Sequence, residues 1–169
     1  GIRDEQNGGH YRLVQRGDGA FFGHNVGPHS LKRELLPPRE RLFSTIRRGK
    51  QVTITNEPLS TEKIAFLGAK ACELSAMLTQ DRVFLGQSHP DAHYAARRRA
   101  MFIVGVSCTQ AGGTCFCTSM GTGPRVDAGA DLALVEVVSD RGHYFLIEAK
   151  TPAGHDVAKK LALAPASVD

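Results

Sequence analysis

Two short, continuous apolar runs constrain the fold of this chain more than any other feature of its sequence. The first run covers Ile64 to Gly68, and the second covers Met101 to Val106. Unbroken apolar runs of this length are typical of strands buried on both faces of a sheet. Between them, Ala69 to Arg82 and Asp91 to Arg99 have the pattern of helices, the second with an acidic cap. The order strand, helices, strand predicts two adjacent parallel strands joined by a right-handed crossover.

The sequence after the second run predicts a hairpin and a terminal helix. Asp131 to Ser139 and His143 to Ala149 surround a Gly-containing turn, as the strands of a β-hairpin do. Ala153 to Leu163 has the pattern of a helix, and Ala164 to Asp169 that of a linker. We therefore expect an α/β fold with α+β elements: a small mixed sheet with a parallel strand–helix–strand core, an antiparallel hairpin and flanking helices.

The first sixty residues predict short strands and turns broken by helical stretches. Tyr11 to Gln15 and Ala20 to Gly23 are expected to be strands joined by a turn. A turn at residues 27–30 precedes a short helix from Leu31 to Leu36. Arg39 to Arg47 is interpreted as a further helical turn or two, and Gln51 to Thr55 as a β-branched strand.

The size and composition indicate one folded domain, residues 1–169. Hydrophobic residues make up 41% of the 169 positions and charged residues 22%, which excludes a disordered or fibrous chain. No apolar run approaches the roughly 18 residues that a membrane span requires, and no signal-peptide pattern is present. Because the chain opens without Met, we expect it to be part of a longer protein.

The net charge of +4 arises from short basic groups that are not interleaved with aromatic residues. This arrangement favours a solvated surface, or a docking face for an acidic protein, over nucleic-acid binding. The run Arg97 to Arg99 ends a predicted helix, and its three side chains must point in different directions. We expect this basic run to matter for assembly and not for folding, with at least one of the three side chains free for an acidic partner.

The four cysteines occur where a sheet of this kind binds ligands. Cys72 follows the first buried strand, Cys108 follows the second, and Cys115 and Cys117 lie in the loop that leaves the same edge. Open α/β sheets bind ligands outside the carboxyl ends of their strands, so all four thiols can point into one pocket. We expect them to be reduced, because a disulfide across one residue is strained and the chain lacks a signal peptide.

Four thiolates suit either an iron–sulfur cluster or a tetrahedral zinc ion. The spacing C-x6-C-x-C with a remote fourth cysteine matches neither the paired C-x2-C knuckles of zinc sites nor the usual ferredoxin run. Glycines in the loop let backbone N–H groups approach sulfur and tune a cluster, namely Gly112, Gly113, Gly121 and Gly123. We therefore interpret the four cysteines as ligands of a [4Fe–4S] cluster, with zinc, or no cofactor at all, as the alternatives.

The segments that carry the cysteines are also the most distinctive strings of the chain. They are Phe66-Leu67-Gly68-Ala69-Lys70-Ala71-Cys72-Glu73-Leu74, Val104-Gly105-Val106-Ser107-Cys108-Thr109 and Gly112-Gly113-Thr114-Cys115-Phe116-Cys117-Thr118-Ser119-Met120-Gly121-Thr122-Gly123-Pro124. Together with residues 26–32, 37–40, 81–85 and 94–98, these strings resemble the β (iron–sulfur) subunits of soluble NiFe sulfhydrogenases. The A subunit of anaerobic sulfite reductase is similar too.

The resemblance implies a cytoplasmic, non-catalytic electron-transfer subunit in a hydrogenase or sulfite-reductase type of complex. It implies two partners: a flavin-containing subunit that reacts with pyridine nucleotides, and a catalytic redox subunit. Family members continue into a ferredoxin-like domain with two [4Fe–4S] clusters, and these 169 residues contain no such cysteine-rich run. We therefore expect the chain to correspond to the N-terminal domain. A further cluster on its own four cysteines follows from their convergence.

Overall fold

The computed structural model describes residues 1–27, 30–60 and 62–166. Within these ranges the strands are β1 Ile2–Asn7, β2 His10–Gln15, β3 Phe43–Arg48, β4 Gln51–Asn56, β5 Ile64–Ala69, β6 Met101–Val106, β7 Leu132–Ser139 and β8 Gly142–Ala149. The helices are α1 Lys32–Leu35, α2 Ala71–Phe84, α3 Ala92–Ala100 and α4 Pro152–Ala158. The expected turn at residues 27–30 and the expected linker both fall partly outside the described residues, at 28, 29 and 167–169.

A four-stranded mixed sheet in the order β5-β6-β7-β8 forms the centre of the fold. β5 pairs in parallel with β6, with Ile64 opposite Met101, and β6 pairs in parallel with β7. β7 and β8 form an antiparallel hairpin. Because α2 and α3 connect β5 to β6, the strand–helix–strand unit is present. The predicted fold class, with its adjacent parallel strands and its hairpin, is confirmed.

The core lies where α1, α2 and α3 pack beside β5 and β6. Its largest buried side chains include Leu35, Leu74, Met77 and Ile103. A Cβ placed on Gly105 in β6 would lie 2.9 Å from Val126 and 3.1 Å from Leu74, so only glycine lets these groups close on the strand.

Buried polar groups fix how α3 and β7 join this core. Asp91 caps α3 by accepting from the N–H of Tyr94 over 2.8 Å, as its sequence position predicts. The hydroxyl of Tyr94 donates to Asp81 over 2.7 Å. Asp131, just before β7, accepts from the N–H of Ile103 over 2.8 Å. These hydrogen bonds satisfy the polar groups that they join, and they orient α3 and β7 against the core.

The N-terminal region differs from its sequence-based prediction. β2 pairs with β1, and the expected strand from Ala20 to Gly23 contributes only an isolated bridge between Gly23 and Arg3. The sequence of β1 has no alternation of apolar and polar residues, so its pairing with β2 could not be predicted from hydrophobic patterning.

Two helical predictions also need correction. The segment from Arg39 to Arg47 is not helical, since residues from Phe43 onward form β3, which pairs with β4 around the turn at Gly49. Gly49 has φ +62°, a conformation that favours glycine and reverses the chain there. The terminal helix α4 ends at Ala158 and is shorter than predicted.

Candidate functional site

The first cysteine lies in the first turn of α2, at the carboxyl end of β5. Lys70 precedes the helix, and its backbone N–H donates to Glu73 Oε2 over 3.1 Å. This hydrogen bond satisfies the backbone N–H of the residue that precedes the helix, and it fixes the residue at which the helix begins. Cys72 is the second residue of α2, the position that the sequence predicts.

Cys108 follows β6 by two residues at the same edge. Because β5 and β6 are parallel neighbours, their carboxyl ends meet, and Cys72 and Cys108 lie just beyond adjacent strand ends. The N–H of Cys108 donates to Pro124 O over 3.0 Å. That hydrogen bond links the end of β6 to residues 109–130, which form the cysteine loop.

The cysteine loop brings Cys117 back to the start of α2. A Cβ placed on Gly123 would lie 3.2 Å from Cys117 Sγ and 3.2 Å from the Cβ of Ala71, the residue before Cys72. The N–H of Thr122 donates to Cys117 O over 2.9 Å and closes a turn around this cysteine. Gly123 therefore fills the space between Cys117 and the helix.

Cys115 is held by a loop amide and by the N-terminal region. The N–H of Gly112 donates to Cys115 Sγ over 3.2 Å, and the Cys115 thiol donates to Asn25 Oδ1 over 3.6 Å. A Cβ on Gly113 or on Gly121 would meet no atom within 4 Å. Of the four glycines singled out in the sequence, Gly112 and Gly123 lie against a sulfur, whereas Gly113 and Gly121 border open space.

Three of the thiols, those of Cys72, Cys115 and Cys117, lie near enough to Cys108 to interact with it electrostatically. Burial raises the pKa of Cys108, and the negative charges of Cys72, Cys117 and Cys115 raise it further. Burial also raises the pKa of Cys72. All four cysteines are free thiols. The structure thus brings the four predicted residues to one sheet edge, while their role as ligands stays a prediction.

A buried lysine places a positive charge beside these thiols. Lys70 is only 2% exposed, and its Nζ donates to Phe22 O over 2.9 Å. Burial lowers the pKa of Lys70, and nearby negative charge, first of all that of Cys108, acts in the opposite direction. Conversely, the ammonium opposes the effect of burial on Cys108 and favours its thiolate.

Thiols are donors that both iron–sulfur clusters and zinc ions use. In residues 1–27, 30–60 and 62–166, no three His, Cys, Asp or Glu side chains are grouped as ligands of one metal ion. The ligand sulfurs of a [4Fe–4S] cluster lie further apart, about 6–7 Å, because bridging sulfides separate them from one another. Four thiols on one edge, one of them accepting from a backbone N–H, are donors of the type that such a cluster uses.

Comparison with curated proteins identifies one informative relative. The chain is 31% identical over 125 residues to the sulfhydrogenase 2 subunit beta of Pyrococcus furiosus. The chain is related to the sulfhydrogenase beta subunits. The alignment covers 69% of this chain and 35% of that protein, so the chain spans about a third of its relative. No protein-family model matches the chain, and no solved structure matches it.

This relative of the sulfhydrogenase beta subunits has supporting residues around the cysteines that its sequence did not reveal. Asp4 accepts from the backbone N–H of Asn25 over 2.8 Å and from its side chain over 3.2 Å, which holds Asn25 against Cys115. Tyr11 donates to Asn25 O over 2.9 Å. The contact of Asn25 with Cys115 spans 90 residues of sequence, and no local pattern signals it. The sequence offered one signal for Lys70, its position immediately after the apolar run that becomes β5.

No helix in the described ranges has the length and apolarity needed to cross a membrane.

Proposed function

We propose that this chain is a non-catalytic electron-transfer domain of a cytoplasmic, multi-subunit redox enzyme of the hydrogenase or sulfite-reductase type. In this proposal Cys72, Cys108, Cys115 and Cys117 hold a [4Fe–4S] cluster. The observation that carries it is the arrival of four free thiols, from three separate chain segments, at one edge of the sheet. A bound cluster would accept and release one electron at a time.

The charge of the site supports an anionic occupant. Lys70 is buried, and among the described residues no carboxylate lies within ion-pair distance of its Nζ. A buried ammonium is costly without a compensating negative charge. Thiolates gathered around a cluster carry such a charge, and Cys108 and Cys72 are among the negative groups that act on Lys70. The lysine therefore stabilises the thiolate form of its neighbours and favours an electron-rich group at this edge.

The partners follow from the family relation. The relative's name describes a beta subunit of sulfhydrogenase 2. For this chain we propose a flavin-containing subunit that reacts with pyridine nucleotides, and a catalytic redox subunit. We also propose that the natural chain continues into a ferredoxin-like domain, to which the cluster on the four cysteines would pass electrons.

Quantifying iron and acid-labile sulfide after anaerobic purification tests the cluster. We expect about four iron atoms per chain, the number that a [4Fe–4S] cluster contains. The protein should be brown, with broad absorbance at about 400 nm. Cys72→Ser and Cys108→Ser should each remove most of the iron, although the two residues lie on different elements. Thr118→Ser, beside Cys117 in the exposed part of the loop, is the matched control and should retain it.

Other results would overturn the assignment. Stoichiometric zinc without sulfide would identify a structural zinc domain. No metal after reconstitution with iron and sulfide would identify a docking domain that positions a ferredoxin module without a cluster of its own. Full iron in Cys72→Ser together with loss in Cys108→Ser would make Cys72 an ordinary helix residue, and the cluster would then need another fourth ligand.

A further inference from the structure

The hairpin formed by β3 and β4 stands apart from the rest of the fold. Both strands pair only with each other, and all twelve of their residues are exposed. No other strand or helix in the described ranges packs extensively against them. A lone two-stranded hairpin is marginally stable in water, so an arm of this kind gains stability from a surface that covers it.

The two faces of the arm differ in character. The register pairs Thr45 with Ile54 and Arg47 with Val52, which places these side chains and Phe43 on one face. Phe43 is 57% exposed, Ile54 64% and Val52 55%. The apolar face is defined by these three side chains, which run diagonally across both strands. The opposite face consists of Ser and Thr residues, one isoleucine, Arg48 and Gln51.

The arm is also strongly basic. Between residues 41 and 57 it carries one acidic residue, Glu57, and four basic residues, Arg41, Arg47, Arg48 and Lys50. None of the four forms an ion pair with any residue that the structure describes, and Arg47 donates only to Gly49 O over 2.9 Å. Four unpaired cations beside an apolar stripe are complementary to an apolar groove with a carboxylate rim.

We propose that the β3–β4 arm docks by its apolar face into an acidic groove on another subunit of the redox assembly. This inference rests on the proposed function only in taking the chain to be a subunit. A protein fits better than a nucleic acid, because single-stranded nucleic acids are bound by stacking on several aromatic rings, whereas the arm has Phe43 alone. The aliphatic Val52 and Ile54 instead suit a desolvated protein pocket.

Hydrogen exchange of the arm in the native assembly and in the isolated full chain tests the inference. The assembly is purified anaerobically through a tag on this chain. We expect the amides of residues 43–56 to exchange at least about tenfold more slowly in the assembly, because docking suppresses opening of the arm. Unchanged exchange of the arm in an intact assembly would overturn this inference but not the proposed cluster. Slower exchange of the arm in an assembly whose chain holds no iron would overturn the proposed cluster but not the docking of the arm.

Paired variants locate the docking face. Ile54→Thr lies on the apolar face and Ile46→Thr on the opposite face, and both keep a β-branched residue that preserves the strand. With the other subunits as the probe, Ile54→Thr should weaken association about tenfold and Ile46→Thr little. Equal effects of the two would overturn the face assignment. Concentration-dependent dimerisation of the isolated chain through the arm, or protection that disappears after nuclease treatment, would overturn the acidic protein partner.

A second pair of variants tests the contribution of charge to docking. Arg47→Gln lies on the apolar face and Arg48→Gln on the other. Arg47→Gln should reduce the salt dependence of association more than Arg48→Gln does, because a cation at the rim of a groove contributes mainly through screened attraction. Association that is independent of salt for the unmodified chain would overturn the acidic nature of the groove.

Discussion

The ammonium of Lys70 donates a hydrogen bond to the carbonyl oxygen of Phe22 over 2.9 Å, and its charge also lies 5.8 Å from the centre of the Phe22 ring. These contacts hold the lysine side chain inside the fold, at the edge where Cys72 and Cys108 lie. A cation fixed in a poorly solvated site acts strongly on charges nearby. Lys70 is therefore placed to act on the charge of Cys108 and of Cys72.

If the four cysteines hold the proposed cluster, replacing Lys70 by Met should lower the midpoint potential of that cluster by roughly tens of millivolts. Loss of the positive charge makes adding an electron less favourable, because net charge near a cluster sets its potential. A spectroscopic redox titration of the anaerobically purified protein measures the shift. Lys70→Arg keeps the charge and should move the potential much less. A Lys70→Met variant with full iron and an unchanged potential would contradict this role.

Replacing Glu136 by Gln should destabilise the fold by about 1–3 kcal/mol at neutral pH. Glu136 in β7 accepts from the N–H groups of Phe21 and Phe22 over 2.6 and 2.8 Å, and it pairs with His143 over 2.8 Å. Burial acts to raise the pKa of Glu136, but these bonds outweigh it, so the pKa lies below the ordinary 4.5. A glutamine keeps the shape and loses the charge that both amides contact.

The lowered pKa of Glu136 also sets the direction of the pH dependence. The folded state holds this carboxylate more firmly deprotonated than the unfolded state does, so its contribution is present above pH 4.5 and lost as the pH falls through its folded pKa. Urea unfolding at pH 7 and at acidic pH should show a larger acid loss for the unmodified chain than for Glu136→Gln. Glu148→Gln, at an exposed position, is the control and should change this difference little.

The sequence predicts the centre of the fold because its two apolar runs are unbroken, although β5 is not the fully buried strand that was expected, since Ala65 and Leu67 are exposed. The runs that become β5 and β6 are apolar at nearly every position, and the positions of the strand ends determine where the cysteines that follow them lie. The arm formed by β3 and β4 has no buried residue, so no burial pattern distinguished Arg39 to Arg47 from a helix. Contacts such as Asn25 with Cys115 join distant segments through polar side chains, which leave no periodic signal in the sequence.

Reversing the charge of Arg98 should destabilise the fold, whereas reversing that of Arg99 should not. Arg98 donates to Asp81 over 3.1 Å, and both side chains are mostly buried; Arg97 pairs with Glu40 and donates to Leu35 O. The expectation that this basic run is unimportant for folding is therefore wrong for Arg97 and Arg98. Arg99 is exposed and makes no ion pair with the described residues, so it alone retains the expected freedom.

We expect Arg98→Glu to lower the free energy of unfolding by about 1–3 kcal/mol, because it places a second carboxylate against Asp81. Arg99→Glu should stay within about 0.5 kcal/mol of the unmodified chain. Urea denaturation followed by circular dichroism measures both. Equal stability of the two variants would mean that the pair with Asp81 contributes nothing to the fold.

Adding a methyl group at Gly112 should disturb the cysteine loop, while the same change one residue later should not. A Cβ on Gly112 would lie 2.8 Å from the side-chain nitrogen of Asn25, which cannot easily withdraw because Asp4 accepts two bonds from that nitrogen. We expect Gly112→Ala to cost about 1 kcal/mol through overpacking and to reduce the iron retained during purification. A Cβ on Gly113 meets nothing within 4 Å, so Gly113→Ala should keep both stability and iron. Measuring the iron content and the urea midpoint of the two variants side by side tests this difference between Gly112 and Gly113. Equal iron loss in both would show that loop flexibility, and not the contact with Asn25, controls retention of the cofactor.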